Sequence, residues 1–303
     1  MLHPAATDLA LACSALAGTA DVPMPWLAPY QPLGGRVARQ IVAGRTVVQA
    51  LNAALPAAVD DAADASATAG PFSDAAAIGS LRERGLRFVE HGAVPAGEAY
   101  ESFIARTGCV PTREHAHDLF NGLVWLRFGT LKRRLNALHV QQIEAAGVGA
   151  TRGALRDALT LFDENAALLH APSVLSDALR RRDWQALFVE HRSVWAGATL
   201  TIFGHALLEK LLRPRKPITA HVRLVPGALL APTTAPTTAP TAAPTAAPTT
   251  APTTAPLDEL IAQPHLPLPV LGVPSWWPPN EAGNFYQDAA VFRPPRNSGS
   301  PRS

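Results

Sequence analysis

Residues 111–128 read PTREHAHDLFNGLVWLRF, and this stretch says more about the fold than any other part of the chain. We interpret it as one helix. Thr112 follows Pro111 and can act as the N-cap, so that Glu114 lies in the first turn, near the positive end of the helix dipole. The apolar residues recur at the spacing of a helix that packs against others. The stretch therefore predicts a helix at the centre of a helical fold.

The predicted helix has two different faces. At about 100° per residue one face is apolar and consists of Ala116, Leu119, Phe120, Leu123 and Leu126. The opposite face consists of Glu114, His117, Asp118, Asn121 and Trp125. Because the second face ends in a tryptophan ring, we expect protein to cover it too. Each buried polar group left unpaired costs roughly 1–3 kcal/mol, so other parts of the chain must supply partners.

The composition favours helices. Of the 303 residues, 48% are hydrophobic and 6% aromatic, and alanine, a strong helix former, is frequent. We predict a mainly α fold: a single multi-helix domain with minor extended or β segments and a wrapping C-terminal arm rich in proline and aromatic residues. The net charge of +2 leaves no basic excess for a phosphate backbone, which argues against nucleic acid as a partner.

Proline divides the chain into regions. We predict an irregular N-terminal arm over residues 1–33 and a helical domain over residues 34–230. Residues 231–256 contain six copies of Ala-Pro-Thr followed by Thr or Ala, and a proline at every fourth position is incompatible with a helix. We predict a disordered insert there. Residues 257–296 are expected to pack on the helical domain as the C-terminal arm, and residues 297–303 to form a disordered tail.

Cysteine usage and hydropathy predict a cytoplasmic protein without a membrane span. Cys13 and Cys109 do not suggest a disulfide framework and are expected to be free, buried thiols in a reducing compartment. The first basic residue is Arg36, so the apolar N-terminal stretch lacks the positive flank of a secretory signal. Residues 193–208 have no charged side chain but are fewer than the roughly 20 needed to cross a bilayer. We assign them to a buried core helix over residues 194–212.

Two further predicted helices carry polar groups. In the core helix, Thr201, His205 and Glu209 are four residues apart and would lie nearly in line. A helix predicted for residues 152–169 carries Asp157, Thr160, Asp163, Glu164 and Asn165. Adjacent helical residues point about 100° apart, so the neighbouring carboxylates of this helix face one ligand only if the helix breaks there. The alternative is an exposed helix end.

Together these groups suggest a site between helices. Helical bundles that bind metals project His and carboxylate side chains inward, and such a site can activate water. The catalytic candidates are His117, Asp118, Asn121, Asp163 and Glu164. The candidate ligands of a divalent metal (Zn, Mn or Fe) are His117, Asp118, His205 and Glu209. Two alternatives stay open: the groups satisfy one another in a closed hydrogen-bond network, or they form solvated faces.

Four long runs follow one another along the chain: PTREHAHDLFNGLVWLRFGTLKRRLNALH, RDALTLFDENAALL, FGHALLEKLLRPRKPITAH and LPVLGVPSWWPPNEAGNFYQDAAVFRPPR. In this order they resemble the bacterial domain of unknown function 3025 family, over residues 88–296. The resemblance implies that the polar groups of all three helices are family features, namely His117, Asp118, Asn121, Asp163, Glu164, His205 and Glu209. It implies no biochemical activity and assigns no roles to these residues.

Catalytic motifs do not decide the function. The sequence has no GxSxG elbow, no Walker A loop, no HExxH motif and no GxGxxG after a strand. One hypothesis is a metal-assisted or acid–base hydrolase with a polar site between helices. The other is a non-catalytic structural or protein-interaction domain whose buried polar residues only fix helix packing. The partner would be a small molecule or a protein. Convergence of His117, Asp118 and His205 around an open cavity would favour the first hypothesis, and pairing in a closed interface the second.

Overall fold

The structure is a computed structural model that describes residues 4–55, 85–146, 153–226 and 255–293. Its α-helices, in chain order, are α1 (Pro4–Ala17), α2 (Leu33–Val42), α3 (residues 47–55), α4 (Tyr100–Thr107), α5 (Ala116–Arg127), α6 (Gly129–Ala146), α7 (Ala154–Asn165), α8 (Ser173–Arg181), α9 (His205–Lys210) and α10 (Ala255–Ala262). Its strands are β1 (Arg87–Glu90), β2 (Cys109–Thr112), β3 (Ala166–His170), β4 (Thr199–Ile202), β5 (Thr219–Leu224) and β6 (Leu266–Pro269).

The strands form two sheets, so the prediction of a mainly α fold is wrong and the chain is a mixed α/β protein. β1 and β2 are a parallel pair, and the larger sheet has the order β4-β3-β5-β6. In it β3 is parallel to β5, whereas β4 and β6 run antiparallel to their neighbours. β3 reads AALLH, and a short apolar run without alternation does not distinguish strand from helix. Its strand conformation depends on pairing with β4 and β5.

The core helix predicted for residues 194–212 is also wrong. A 3-10 helix (Arg192–Gly197), then β4 and then the short helix α9 occupy this range. Thr201 therefore lies on a strand, where β-branched residues are favoured. Between β4 and α9, a Cβ at Gly204 would lie 2.4 Å from the carbonyl oxygen of Glu164, so only glycine allows this close approach to the end of α7. No helix in the described part of the chain is long and apolar enough to cross a membrane.

The helix predicted for residues 111–128 begins later than expected, because its first residues belong to β2 and pair with β1. Thr112 is not an N-cap, since its hydroxyl donates a hydrogen bond to the carbonyl oxygen of Val110 (3.0 Å). Glu114 lies outside the helix, and both of its carboxylate oxygens accept from the amide of Val47 at 3.0 Å. Glu114 thus caps α3 instead of opening α5.

Both ends of the described chain pack against the helical body. Residues 4–17 form α1 rather than an irregular segment, and α1 contacts α2 and α5. The C-terminal arm adds β6 to the sheet and buries Phe285 and Phe292. Most of the predicted insert, 231–256, and the predicted tail, 297–303, lie outside the described residues.

Candidate functional site

A cleft of about 420 Å³ opens between α4, α5, α6, α7 and α9. Its volume is within the range of small-molecule sites. The polar residues named from the sequence that line it are His117, Asp118, Asn121, Thr160, Asp163, Glu164 and His205. Glu209 reaches the cleft only through its contact with His117, while Thr201 and Asp157 do not line it. Most of the candidate groups therefore face one open cavity.

His117 on α5 pairs with Glu209 on α9. Its Nδ1 lies 2.8 Å from Oε2 of Glu209, and each side chain is 34% exposed. The hydrogen bond to Glu209 stabilises the imidazolium and raises the pKa of His117, although burial acts in the opposite direction. Since the carboxylate holds Nδ1, Nε2 is the ring nitrogen left to act on a ligand.

His205 lies in the first turn of α9, edge-to-face with His117. The two ring centroids are 4.6 Å apart and the ring planes make an angle of 81°. Nδ1 of His205 donates a hydrogen bond to the carbonyl oxygen of Asp163 (3.0 Å), which fixes the tautomer of the neutral ring. His205 is 6% exposed, and this burial lowers its pKa to about 4. Two adjacent imidazoles thus have pKa values displaced in opposite directions.

Asp163 pairs with a buried lysine that the sequence analysis missed. Nζ of Lys132 lies 2.6 and 2.9 Å from the two carboxylate oxygens, and Lys132 is 5% exposed. Burial by itself raises the pKa of Asp163, but the positive charge of Lys132, aided by His205 and His139, outweighs it. The pKa of Asp163 is therefore lower than usual, and the carboxylate is charged at neutral pH.

The neighbouring carboxylates Asp163 and Glu164 both line the cleft, which a continuous helix would make difficult. α7 ends one residue later, at Asn165, and the chain passes directly into β3. Nζ of Lys210 donates to Oδ1 of Asn165 (2.7 Å) and ties this end to α9. Asp163 and Glu164 thus lie in the last turn of α7, and the helix ends after them rather than breaking between them.

Asp118 and Asn121 are held mainly by neighbouring protein groups. Oδ2 of Asp118 accepts from the backbone amide of Arg113 (2.6 Å) and from its Nε (3.1 Å), which closes the turn between β2 and α5. Nδ2 of Asn121 donates to the hydroxyl of Tyr100 (3.1 Å). Oδ1 of Asn121 has no hydrogen-bond partner in the described part of the chain. Both residues are weaker candidates for proton transfer than His117.

Glu101 on α4 is a further cleft residue that the sequence analysis did not single out. Burial, reinforced by the negative charge of Asp163, raises the pKa of Glu101. Nδ2 of Asn136 on α6 donates to its carboxyl group and to its backbone oxygen. A carboxyl with a raised pKa in a cleft can supply a proton to a reaction.

A signal for the missed residues was present on α6. Lys132, Asn136 and His139 are spaced i, i+4 and i+7, so they share one helix face, and all three are buried. Polar residues at the spacing of core positions indicate a buried polar face. That face supplies the cation for Asp163 and the amide for Glu101.

The metal hypothesis lacks a ligand group. Within residues 4–55, 85–146, 153–226 and 255–293, no three His, Cys, Asp or Glu side chains are placed to hold one metal ion. Of the four candidate ligands, Asp118 binds Arg113 and Glu209 binds His117, which leaves the two imidazoles as neighbours without a carboxylate between them. The described residues therefore give the metal hypothesis no complete set of ligands.

Comparison with known proteins identifies the family. Neither the curated proteins nor the solved structures give a match to this chain. A family model described as "Protein of unknown function (DUF3025)" matches residues 86–296, a range that contains every residue lining the cleft. The chain therefore belongs to the DUF3025 family of proteins of unknown function, as the resemblance of its four sequence runs predicted.

Proposed function

We propose that the cleft is the active site of an acid–base enzyme that acts on a small polar molecule, with His117 as the general base. The observation that carries this proposal is the contact between two imidazoles in one open cleft, each with Nδ1 held by a different acceptor. A carboxylate that orients a histidine and stabilises its charged form is a recurrent device for activating a base. Glu209 has this role toward His117.

Three side chains of the cleft have different roles in the proposed proton transfer. His117 takes a proton through Nε2, and Glu101, whose pKa is raised by burial, gives one. His205 stays neutral and offers Nε2 as a hydrogen-bond acceptor for the substrate. Titratable groups whose pKa values are pushed apart in one cleft are typical of acid–base sites.

Hydrolysis is the reaction class that this arrangement supports. No Ser or Cys is among the described residues that line the cleft, and the hydroxyl of Thr160, which does line it, donates to the carbonyl oxygen of Arg156 (3.0 Å). The nucleophile would therefore be water activated by His117. This retains the acid–base form of the hydrolase hypothesis. Elemental analysis of untagged protein tests the metal-assisted form, which requires a stoichiometric divalent metal and a lower melting temperature after treatment with EDTA. A cytoplasmic enzyme fits the two free, buried cysteines, Cys13 and Cys109.

A non-catalytic role is the second candidate, and one observation favours it. The Lys132–Asp163 ion pair and the hydrogen bond between Asn136 and Glu101 join separate helices and satisfy buried groups. These pairs alone would fix helix packing. They do not account for the imidazoles that face an open cavity, and this difference is why we favour the enzyme.

The test compares His117→Gln with His115→Gln, since His115 is an exposed histidine two residues away. Purified wild-type protein and both variants are assayed against a panel of carboxylic esters, amides and phosphoesters. We expect turnover by the wild type and by His115→Gln, and a fall of roughly 100-fold or more for His117→Gln. Activity should rise with pH through the raised pKa of His117. The proposal fails if no substrate class is turned over, or if His117→Gln retains the activity.

A further inference from the structure

A group of basic side chains lies on β5 of the larger sheet and on the segments next to it. We call it the β5 basic cluster, and it consists of Arg182, Lys210, His221, Arg223 and His265. The rings of His221 and His265 stack with centroids 4.4 Å apart and an angle of 23° between their planes. Arg223 follows His221 by two positions on β5, so both side chains lie on one face of the sheet. No member of the cluster lines the cleft.

Arg223 is the buried member of this cluster. It is 5% exposed, and its guanidinium carbon lies 5.3 Å from the ring centroid of Phe162. Its Nε and Nη1 have no hydrogen-bond partner among the described residues, and neither has Nδ1 of His221. A buried cation with unpaired donors is unfavourable unless an anion or another acceptor reaches it. This strand therefore presents at least three unpaired polar atoms in one place.

The cluster also lacks a counter-charge. Burial lowers the pKa of His221 to about 4, and the charges that lower it further are those of His265, Arg223 and Lys210. Burial likewise lowers the pKa of His265, with Arg223 and Arg182 acting in the same direction. No described carboxylate forms an ion pair with any of the five side chains. The described structure thus gathers positive charge at this point without compensating it.

We propose that the β5 basic cluster binds a phosphate-type oxyanion, with the guanidinium of Arg223 as the buried anchor and Lys210, His221 and His265 around it. A guanidinium presents its donors in a planar fork that matches two oxygens of a tetrahedral anion. His265 and Lys210 are exposed, so they form the rim through which the anion enters. This site is independent of the function proposed for the cleft.

The test measures binding of inorganic phosphate by calorimetry, with chloride at equal ionic strength as the reference. We expect saturable phosphate binding by the wild type and a Kd weakened roughly tenfold or more in Arg223→Met, since a charge-assisted hydrogen bond is lost. Arg106→Gln removes one exposed positive charge from α4 and is the matched control, which should bind as the wild type does. Glycerol phosphate is a second probe. If it binds more tightly than inorganic phosphate, the anion belongs to a larger molecule. If the two bind equally well, the ligand is free phosphate.

A second variant keeps the proposal testable if Arg223→Met does not fold. His265→Gln changes an exposed side chain, and we expect a smaller but measurable weakening of phosphate binding. In the wild type, binding of phosphate should raise the pKa of both His221 and His265, and NMR titration of the ring protons measures these two values. The proposal is overturned if phosphate binds no better than chloride, if both ring pKa values are unchanged, or if His265→Gln and Arg106→Gln bind alike.

Discussion

Within the described residues, two pairs of histidine rings are in contact, and their surroundings are opposite. In the cleft, His117 and His205 lie 4.6 Å apart at 81°, beside the carboxylates of α7 and α9. On the sheet, His221 and His265 lie 4.4 Å apart at 23°, among cations. The cleft pair has both Nδ1 atoms in hydrogen bonds, whereas Nδ1 of His221 has no partner in the described structure.

The difference shows that the neighbours, rather than the residue type, decide what a histidine pair can do. Only His117 has a raised pKa, because a carboxylate accepts from its Nδ1. Burial lowers the pKa of His205, His221 and His265, and in the sheet pair nearby cations add to that effect. The His117/His205 pair has protein carboxylates beside it and is therefore suited to proton transfer. The His221/His265 pair has cations beside it and, among the described residues, no carboxylate paired with it, and is therefore suited to binding an anion.

The largest expected effect on stability comes from removing the positive charge that Lys132 places beside Asp163 in the cleft. Lys132→Met leaves the carboxylate of Asp163 buried without its cation, and we expect a loss of about 3–5 kcal/mol in the free energy of unfolding, measured by urea denaturation. The double variant Lys132→Met/Asp163→Asn removes the orphaned charge and should recover much of this loss. A single-variant loss below about 1 kcal/mol would mean that the pair does not compensate the cleft.

The pH dependence of stability gives the next effect. Unfolded His205 binds a proton near its usual pKa of 6.5, whereas the folded protein resists protonation down to about 4. Stability should therefore fall as the pH is lowered from about 6.5 to 4. His205→Asn keeps a donor for the carbonyl of Asp163 but cannot titrate, so this fall should be smaller by on the order of 2 kcal/mol. Chemical denaturation at several pH values checks it, and His115→Gln, at an exposed position, should leave the profile as in the wild type.

The sheet pair should respond in the opposite way to removal of a cation. In chloride buffer without oxyanions, Arg223→Met replaces an unpaired buried charge by an apolar side chain of similar length, and we expect a gain of about 1 kcal/mol in unfolding free energy. Arg106→Gln, at an exposed ion pair, should change it by less. A clear loss of stability in Arg223→Met would show that its guanidinium has an acceptor inside the protein.

The smallest effect concerns the carboxylate of α9. Glu209→Gln should lower the pKa of His117 toward its usual value, which NMR titration of the ring measures directly. The hydrogen bond to Glu209 stabilises the folded protein only while the imidazole of His117 is charged. The variant should therefore be less stable than the wild type below about pH 6.5, and this difference should disappear as the pH rises through the raised pKa of His117. Because both side chains are 34% exposed, we expect the loss of unfolding free energy to be less than about 1 kcal/mol. Glu90→Gln, an exposed carboxylate on β1, should leave the titration of His117 unchanged.

Local periodicity was sufficient for part of the site. The side chains of His117, Asp118 and Asn121 were placed on one helix face from spacing alone, and all three line the cleft. Asp163 and Glu164 also line it, from the last turn of α7, although the helix ends only after them. Lys132 was missed, since a lysine in an amphipathic helix is usually exposed and only its partner on α7 explains its burial.

The sequence by itself indicated the family, the helices α5 and α7 and the polar residues that these two helices turn toward the cleft, because each depends on residues close together in the chain. Tertiary structure alone decided the mixed α/β class, since β3 is a strand only through its pairing with β4 and β5. It also decided which histidine is charged and which is neutral. The pKa values of His117 and His205 depend on a carboxylate and a carbonyl oxygen that are distant in sequence, and on burial that exists only in the folded chain.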